Sequence, residues 1–379
     1  MILHICCNLA GSSVFSQLFA ALAAAGIPQR IFVPEKRREN LDKNHPADVE
    51  TLARLTVRRS DSLFFFRKAQ RSVPVIRREM DLSDLSLIHA HTLFTDGSVA
   101  RRLSRETGIP FGVTVRYSDS ETIWRYEPHL RPLGRTILRE AAFVAFPGPA
   151  AMQKALSWFP EGEREKLRGK FHVIPNGLLP AWLDGMPRQT PANPVRVGFA
   201  GLLNERKRPM DAIRAVHLAD GMGETRFTIR LCGDGPLKEK ILSMLHPRDS
   251  CCGRLTDMPA MKEFYRSIDV LLVPSAAETF GMVYLEAMSQ GVPVLYTAGQ
   301  GFDGQFPEGE VGFAVPAGDP VKQAELLLRT VSEGYAARSA RCVTAAAECA
   351  LPEVAARWKT LYASAGGVFG READACVSS

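Results

Sequence analysis

Glu278 and Glu286 are the residues whose type and spacing point most directly to chemistry. They stand in the run Pro274-Ser275-Ala276-Ala277-Glu278-Thr279-Phe280-Gly281-Met282-Val283-Tyr284-Leu285-Glu286. The apolar stretch Val270–Val273 reads as a short central strand, and Gly281 reads as the start of a helix, Met282–Gln290. That arrangement puts Glu278 in a crest loop and Glu286 in the second turn of the helix. Glycine at 281 lets a backbone approach a polyanion closely, and the free amides of Phe280, Gly281 and Met282 suit phosphate oxygens or sugar hydroxyls. A carboxylate accepts hydrogen bonds from vicinal hydroxyls and repels phosphate. Glu278, beside Thr279, is therefore expected to hold a sugar, and Glu286 a ribose. For Glu286 alone, a partly exposed helix residue with a cation partner is an equally open reading.

The elements that must position these groups alternate along the chain. Ile2–Cys6 reads as a buried strand, followed by a turn at Asn8–Ser13 and an apolar helical face at Val14, Phe15, Leu18, Phe19 and Leu22. Further strands are expected at Gln29–Val33, Leu85–His91, Phe111–Val115, Ala142–Phe146 and Phe171–Ile174, with helices at Gly97–Thr107, Arg131–Ala141 and Ala150–Trp158. A second run has strands at Val195–Gly201, Phe227–Cys232, Val270–Val273 and Pro293–Tyr296, with helices at Met210–Asp220, Leu237–Leu245 and Met258–Ser267. Recurrent strand–helix units predict an α/β fold with mostly parallel sheets covered on both faces.

At 379 residues the chain exceeds the usual size of a single core, which favours two domains. The proline-rich, aperiodic stretch 182–194 is the expected linker, dividing an N-terminal domain, 1–181, from a C-terminal one, 195–350. A helix within 351–365 is expected to pack back on the first domain, and 366–379 to form a flexible tail.

Composition narrows the function classes. With 46% hydrophobic and 23% charged residues the chain reads as globular. The opening residues lack a basic leader, and no stretch of eighteen apolar residues occurs, so a cytoplasmic protein is expected. The eight cysteines include no C-x-x-C, so neither a zinc knuckle nor a redox dithiol is spelled out. The net charge of +6 is concentrated by a Lys/Arg surplus in residues 30–78. A basic surface there suits an anionic glycan, a lipid phosphate or an anionic membrane face; nucleic acid is disfavoured, because no base-reading module accompanies the charge. His89 and His91 alternate at a strand end near Asp96, which suits acceptor contacts or packing; no third ligand has convincing metal spacing, so no metal is expected.

The glutamate pair in its context E-T-F-G-M-V-Y-L-E-A-M-S-Q-G-V-P-V resembles the signature of retaining glycosyltransferases of family 4. Val197–Lys207 looks like the family's second-domain phosphate loop, and Ile174-Pro175-Asn176-Gly177-Leu178 like its pre-linker turn. Leu231–Pro236 and Gly312–Asp319 are similar to two further landmarks. The resemblance covers nearly the whole chain and implies the GT-B architecture, two Rossmann-like domains facing across a cleft. It implies a hexosyltransferase taking a nucleotide diphosphate sugar, with UDP- or GDP-sugar favoured, as donor substrate. No cofactor is implied.

Carried over position by position, Lys207 would neutralise the leaving diphosphate and Gly201 would let it approach. Gly11 and Ser12, resembling a double-glycine turn, would reach the diphosphate or the acceptor. Arg254 and Leu255 would border the nucleotide base. Leu202 stands where relatives have an arginine, and Arg116 and Tyr117 stand where they have histidine and glycine. Arginine is no base at neutral pH, but it can hold phosphate or an anionic sugar or acceptor, so Arg116 joins Glu278 and Lys207 as a catalytic candidate. Tyr117 and Asp119 join His89 and His91 on the acceptor side. The resemblance implies a glycan or lipid-linked acceptor in surface polysaccharide or glycoconjugate synthesis, and the basic first domain adds the expectation of a protein peripheral at the inner face of the cell membrane. The rival readings are a nucleotide-sugar epimerase and a non-catalytic sugar-nucleotide-binding scaffold.

Overall fold

A computed structural model describes residues 1–58, 61 and 66–367. The chain divides into two compact units. The first combines residues 1–147 and 151–177 with the C-terminal residues from Leu351; the second combines 148–150 with 178–350.

In the first unit β1 (Ile2–Ile5), β2 (Gln29–Glu35), β3 (Glu50–Leu55), β4 (Leu87–Ala90), β5 (Phe111–Thr114), β6 (Phe143–Phe146) and β7 (Phe171–Val173) form one sheet. Its order is β3-β2-β1-β4-β5-β6-β7, and every pairing is parallel. In the second unit β8 (Val195–Ala200), β9 (Phe227–Cys232), β10 (Ser250–Cys251), β11 (Val270–Leu272), β12 (Val294–Thr297) and β13 (Gly312–Val315) form another parallel sheet. Its order is β10-β9-β8-β11-β12-β13. In such sheets strand order reverses at one place, where the loops leaving two neighbouring strands part and open a crevice. The reversals lie between β1 and β4 and between β8 and β11. The loops after β8 and β11 carry Gly201, Lys207 and Glu278.

The central strands β1, β4, β5, β6 and β11 are buried along their whole length, as continuous apolar runs covered on both faces must be. Sequence reading missed β3. Its residues ETLARL lie at the sheet edge, mostly exposed or half-exposed, so the apolar signal of a central strand is absent.

The 182–194 segment is no free linker. Trp182 is buried in the second unit's core, Gln290 Nε2 donates to its carbonyl (2.7 Å), and the Arg188 amide donates to Ser339 Oγ (2.8 Å). Proline-rich composition removed the periodic signal without removing the packing. The units part at Gly177/Leu178 and at Ala350/Leu351. The helix Leu351–Ser364 packs in the first unit beside the helix Ser13–Ala24, burying Val354, Trp358, Leu361 and Tyr362. The expected tail at 368–379 lies outside the described residues.

His89 and His91 do not line an acceptor surface. Both are fully buried, joined by His4 from β1 and enclosed by Phe19, Phe143, Trp358 and Tyr362. Sequence reading took His91 as the polar end of a strand, but it lies in the crest under the helix Ser13–Ala24. His89 bonds Tyr362 Oη (2.7 Å) and Thr114 Oγ1 (2.8 Å), and His4 Nδ1 meets His91 Nε2 at 3.1 Å. The three rings lie close enough to share an ion, a grouping hidden from spacing analysis because His4 comes from a distant strand. No carboxylate or thiolate belongs to that group to offset a dication in so apolar a setting.

Burial lowers all three histidines, His4 to about 3, so the folded chain holds them neutral. A histidine whose folded value lies below its unfolded one stabilises the fold above the unfolded pKa, and that stability drains away as pH falls. Urea unfolding of His4→Asn should therefore show a loss of stability between pH 7 and pH 5 about 2 kcal/mol smaller than that of the parent chain. Equal losses in the two proteins would mean that His4 is charged in the fold.

Candidate functional site

The second unit's switch point brings the sequence candidates together. β8 ends at Ala200, and the chain turns through Gly201 to Asn204, whose Oδ1 accepts the Lys207 amide (3.0 Å). This side-chain turn aims the Lys207 ammonium back over the crest. There it makes an ion pair with Glu278 Oε2, in a setting where both side chains are largely buried. Ser275 Oγ reaches the same oxygen (3.4 Å), and Glu278 Oε1 accepts the Thr279 amide (3.2 Å). The Glu278 amide donates to Gln300 Oε1 (3.2 Å), so the loop is held from both sides. Asn204, Ser275 and Gln300 escaped sequence reading. Asn204 carried a signal, a turn-forming asparagine three residues before Lys207; Gln300 lies in a glycine-rich loop close behind the glutamate helix, and Ser275 had none.

Beside the pair lies a concavity of about 510 Å³ lined by Gly201, Leu202, Cys232–Gly235, Arg254, Leu255, Met261 and Val283. Its floor is backbone on backbone: a Cβ at Gly233 would fall 1.9 Å from the Gly201 carbonyl oxygen. Gly201 belongs to both features, because a Cβ there would touch the Lys207 stem, at 3.8 Å from its Cε. Leu202 is exposed at the rim, where relatives were expected to carry an arginine. Arg254 is also exposed there, and Leu255 supplies an apolar surface suited to a flat base.

The helix Met282–Ser289 begins at Gly281, whose φ of 86° suits glycine, and no side chain caps it. No side chain therefore claims its first amides, an arrangement suited to an anion. The Phe280 side chain is buried against Phe302, so any ligand contact it makes is through the main chain. Glu286 Oε2 accepts Tyr265 Oη (2.8 Å), and burial raises its pKa. Its fixed partner is thus a tyrosine, and no cation pairs with it among the described residues.

In the first unit the candidates fare differently. Ser12 caps the helix Ser13–Ala24, its Oγ accepting the Val14 amide (3.3 Å). A Cβ at Gly11 would meet nothing within 4 Å, so no close approach demands glycine there. Arg116 Nη1 donates to Asn176 Oδ1 (3.0 Å), and its guanidinium lies 5.0 Å from the Phe15 ring centroid. Its Nε is buried without a partner, and among the described residues it has no carboxylate partner. Burial lowers its pKa from the ordinary arginine value. A cation so placed has the chemistry to pair with an anion. Tyr117 follows it, half-buried, at the start of the helical turn Ser118–Ile123.

Asp119 is not an acceptor contact. It is 1% exposed, and its carboxylate accepts the amides of Leu93 (2.9 Å), Phe94 (3.3 Å) and Arg116 (2.8 Å). It ties the crest loops after β4 and β5 together, and burial holds its pKa up at about 6. Asp96, unassigned from sequence, does the same for β1: Oδ1 accepts the Cys7 amide (3.1 Å), and burial raises its pKa to about 7.

Residues 11–177 match the profile described as "Glycosyl transferase 4-like domain", and residues 194–333 match "Glycosyl transferases group 1". The D-inositol 3-phosphate glycosyltransferase of Acidothermus cellulolyticus is 27% identical over 280 residues, covering 67% of this chain and 61% of that protein. The matches to the first curated relatives span between 26% and 61% of those proteins' lengths. Among solved structures, the sucrose-phosphate synthase of Thermosynechococcus elongatus superposes with a TM-score of 0.73 at 20% identity, covering 96% of this chain and 98% of that one. Anabaena HepE, solved in complex with UDP and glucose, gives 0.66 at 18% identity, covering 96% and 99%. At such identities the structural likeness establishes the fold.

The Asp119 geometry separates a structural role from a ligand contact. Asp119→Ala should lower the unfolding free energy by about 3 kcal/mol, since it strands three buried amides. An unchanged denaturation midpoint would return Asp119 to the acceptor side.

Proposed function

Because this chain belongs to the family 4 glycosyltransferases of GT-B fold, we propose that it transfers a sugar, with retention at the anomeric carbon, from a nucleotide diphosphate sugar to a glycan or lipid-linked acceptor. The observation that carries this reading is the meeting of Lys207 with Glu278 at the second sheet's switch point, beside a glycine-floored concavity. UDP- or GDP-sugar is the favoured donor. The UDP-bound HepE structure supports the uridine nucleotide.

In this mechanism the base lies against Leu255, the ribose hydroxyls reach Glu286, and the diphosphate crosses Gly201 toward the amides of Gly281 and Met282. An ammonium has three donors, so Lys207 holds Glu278 and a phosphate oxygen at once. Glu278 and the Thr279 region grip the sugar hydroxyls. As the bond from the anomeric carbon to phosphate oxygen breaks, negative charge grows on the leaving group, and Lys207, already desolvated and oriented, stabilises it. The acceptor oxygen forms its bond on the same face, and its proton passes to the departing phosphate. Protein cations supply the charge, so no divalent ion is required.

Arg116, with Tyr117 beside it, is assigned to an anionic group of the donor or acceptor, because its Nε is buried without a hydrogen-bond partner and no carboxylate among the described residues pairs with it directly. The first unit carries the acceptor on this reading, with surface polysaccharide or glycoconjugate synthesis as the setting. No helix among the described residues is long and apolar enough to cross a membrane. The basic surplus between residues 30 and 78 favours peripheral attachment to an anionic membrane face.

With a donor panel and release of nucleoside diphosphate as readout, Glu278→Gln and Lys207→Ala should each lower kcat by about a hundredfold or more while the chain stays folded. Parent activity should survive EDTA. Unchanged rates in both variants would remove the pair from the mechanism, and abolition by EDTA would remove the metal-free part. In sedimentation with vesicles, the protein should pellet with anionic and not with neutral lipid, and to a smaller extent at high salt. Equal pelleting with both lipids would count against the membrane reading.

A further inference from the structure

The main-chain ladder between β9 and β10 runs past the ends of both strands. Cys251 pairs with Leu231, the Cys252 amide donates to the Leu231 carbonyl (3.0 Å), and the Gly233 amide donates to the Gly253 carbonyl (2.8 Å). The first bond continues the Leu231–Cys251 register, the second passes over Cys252 to the next residue, and at this irregular step the Cys232 and Cys252 side chains meet. Facing residues on paired strands point to the same side, and strands lie about 4.8 Å apart. That spacing falls inside the range of about 4.4–6.8 Å that a disulfide spans between α-carbons. Cys251, one residue earlier, points to the other face. The two facing thiols differ in access: Cys232 is 4% exposed and Cys252 is exposed. The Cys232 thiol touches Met261 Sδ at 3.7 Å and interacts with the Cys252 thiol, which also reaches the main-chain carbonyls of Leu231 (3.4 Å) and Gly253 (3.7 Å).

We propose that Cys232 and Cys252 form a dithiol that a small disulfide oxidises to a protein disulfide, and that this closure disables the neighbouring concavity. The exposed Cys252, as thiolate, attacks the reagent's S–S bond and releases one thiol, leaving a mixed disulfide on Cys252. Cys232 then gives up its proton and attacks Cys252 Sγ, expelling the second thiol. Two protein thiols are oxidised, and one reagent disulfide is reduced to two thiols. Burial and the facing Cys252 push the Cys232 thiol up to about 12, which assigns Cys252 as the attacking group and Cys232 as the resolving one.

Cys232 and Met261 both line the concavity, and the loops that follow the two cysteines, Gly233–Gly235 and Arg254–Leu255, form its wall. Bond formation draws Cys232 Sγ off Met261 and ties the roots of both loops. This consequence rests on the concavity being the nucleotide site proposed above; the cross-link itself does not.

The test treats the reduced full chain with oxidised glutathione, maps disulfide-linked peptides, and titrates UDP before and after. The expected result is a Cys232–Cys252 linked peptide with UDP affinity lowered about tenfold or more and restored by dithiothreitol. Cys252→Ser should bind UDP as the reduced parent does and keep that affinity under oxidation. A glutathionylated Cys252 with no internal cross-link would overturn the dithiol, and a cross-linked chain with unchanged UDP affinity would overturn its effect. If the reduced parent bound no UDP, the nucleotide reading of the concavity would fall, while the peptide map would still decide the cross-link.

Discussion

A lysine ammonium held against a carboxylate in a nearly dry crest is the constraint around which the second unit is organised. Either charge alone would be costly to bury, so each must be supplied with its partner by the fold. Lys207 comes from the loop after β8 and Glu278 from the loop after β11. Only the reversal of strand order between those two neighbours lets both loops reach one point. Glycine at 201 and 233 then brings backbone to backbone, so the concavity beside the pair is walled in part by main chain.

Buried polar groups in the first unit do different work. Asp119 and Asp96 spend their hydrogen bonds on main-chain amides and so fix the shape of the crest loops. His4, His89 and His91 fill the space under the helices as neutral rings. Arg116 is the exception, a guanidinium bonded to an asparagine and laid over an aromatic face, with no direct carboxylate pair among the described residues and with Asp119 and Asp96 acting on it only through space. A buried cation without a direct ion pair is expensive in a scaffold and useful in a binding site.

Much of the fold was legible because central parallel strands write themselves as short unbroken apolar runs, as Val270–Leu272 and Phe143–Phe146 do. The meeting of Lys207 with Glu278 was legible for a related reason: each lies in a short stretch of sequence where a strand end is followed by a glycine-bearing loop. Residues brought together from distant strands were not. Spacing gave no sign that His4 would join His89, or that Cys252 would face Cys232, because register is a property of the sheet. Asp119 looked like a ligand contact because an aspartate in a crest loop has two uses, and only the geometry of three amides tells capping from binding. The segment 182–194 misled in the opposite sense, since aperiodic sequence can be tightly packed.

The central claim is that the Lys207–Glu278 crest and the adjoining concavity hold a nucleotide diphosphate sugar. A crystal structure of the chain with an unreactive nucleotide sugar analogue tests it most directly. The account requires a diphosphate oxygen within hydrogen-bonding reach of Lys207 Nζ, sugar hydroxyls on the Glu278 carboxylate, and the base against Leu255. An analogue bound elsewhere, with the Lys207–Glu278 pair untouched, would contradict it.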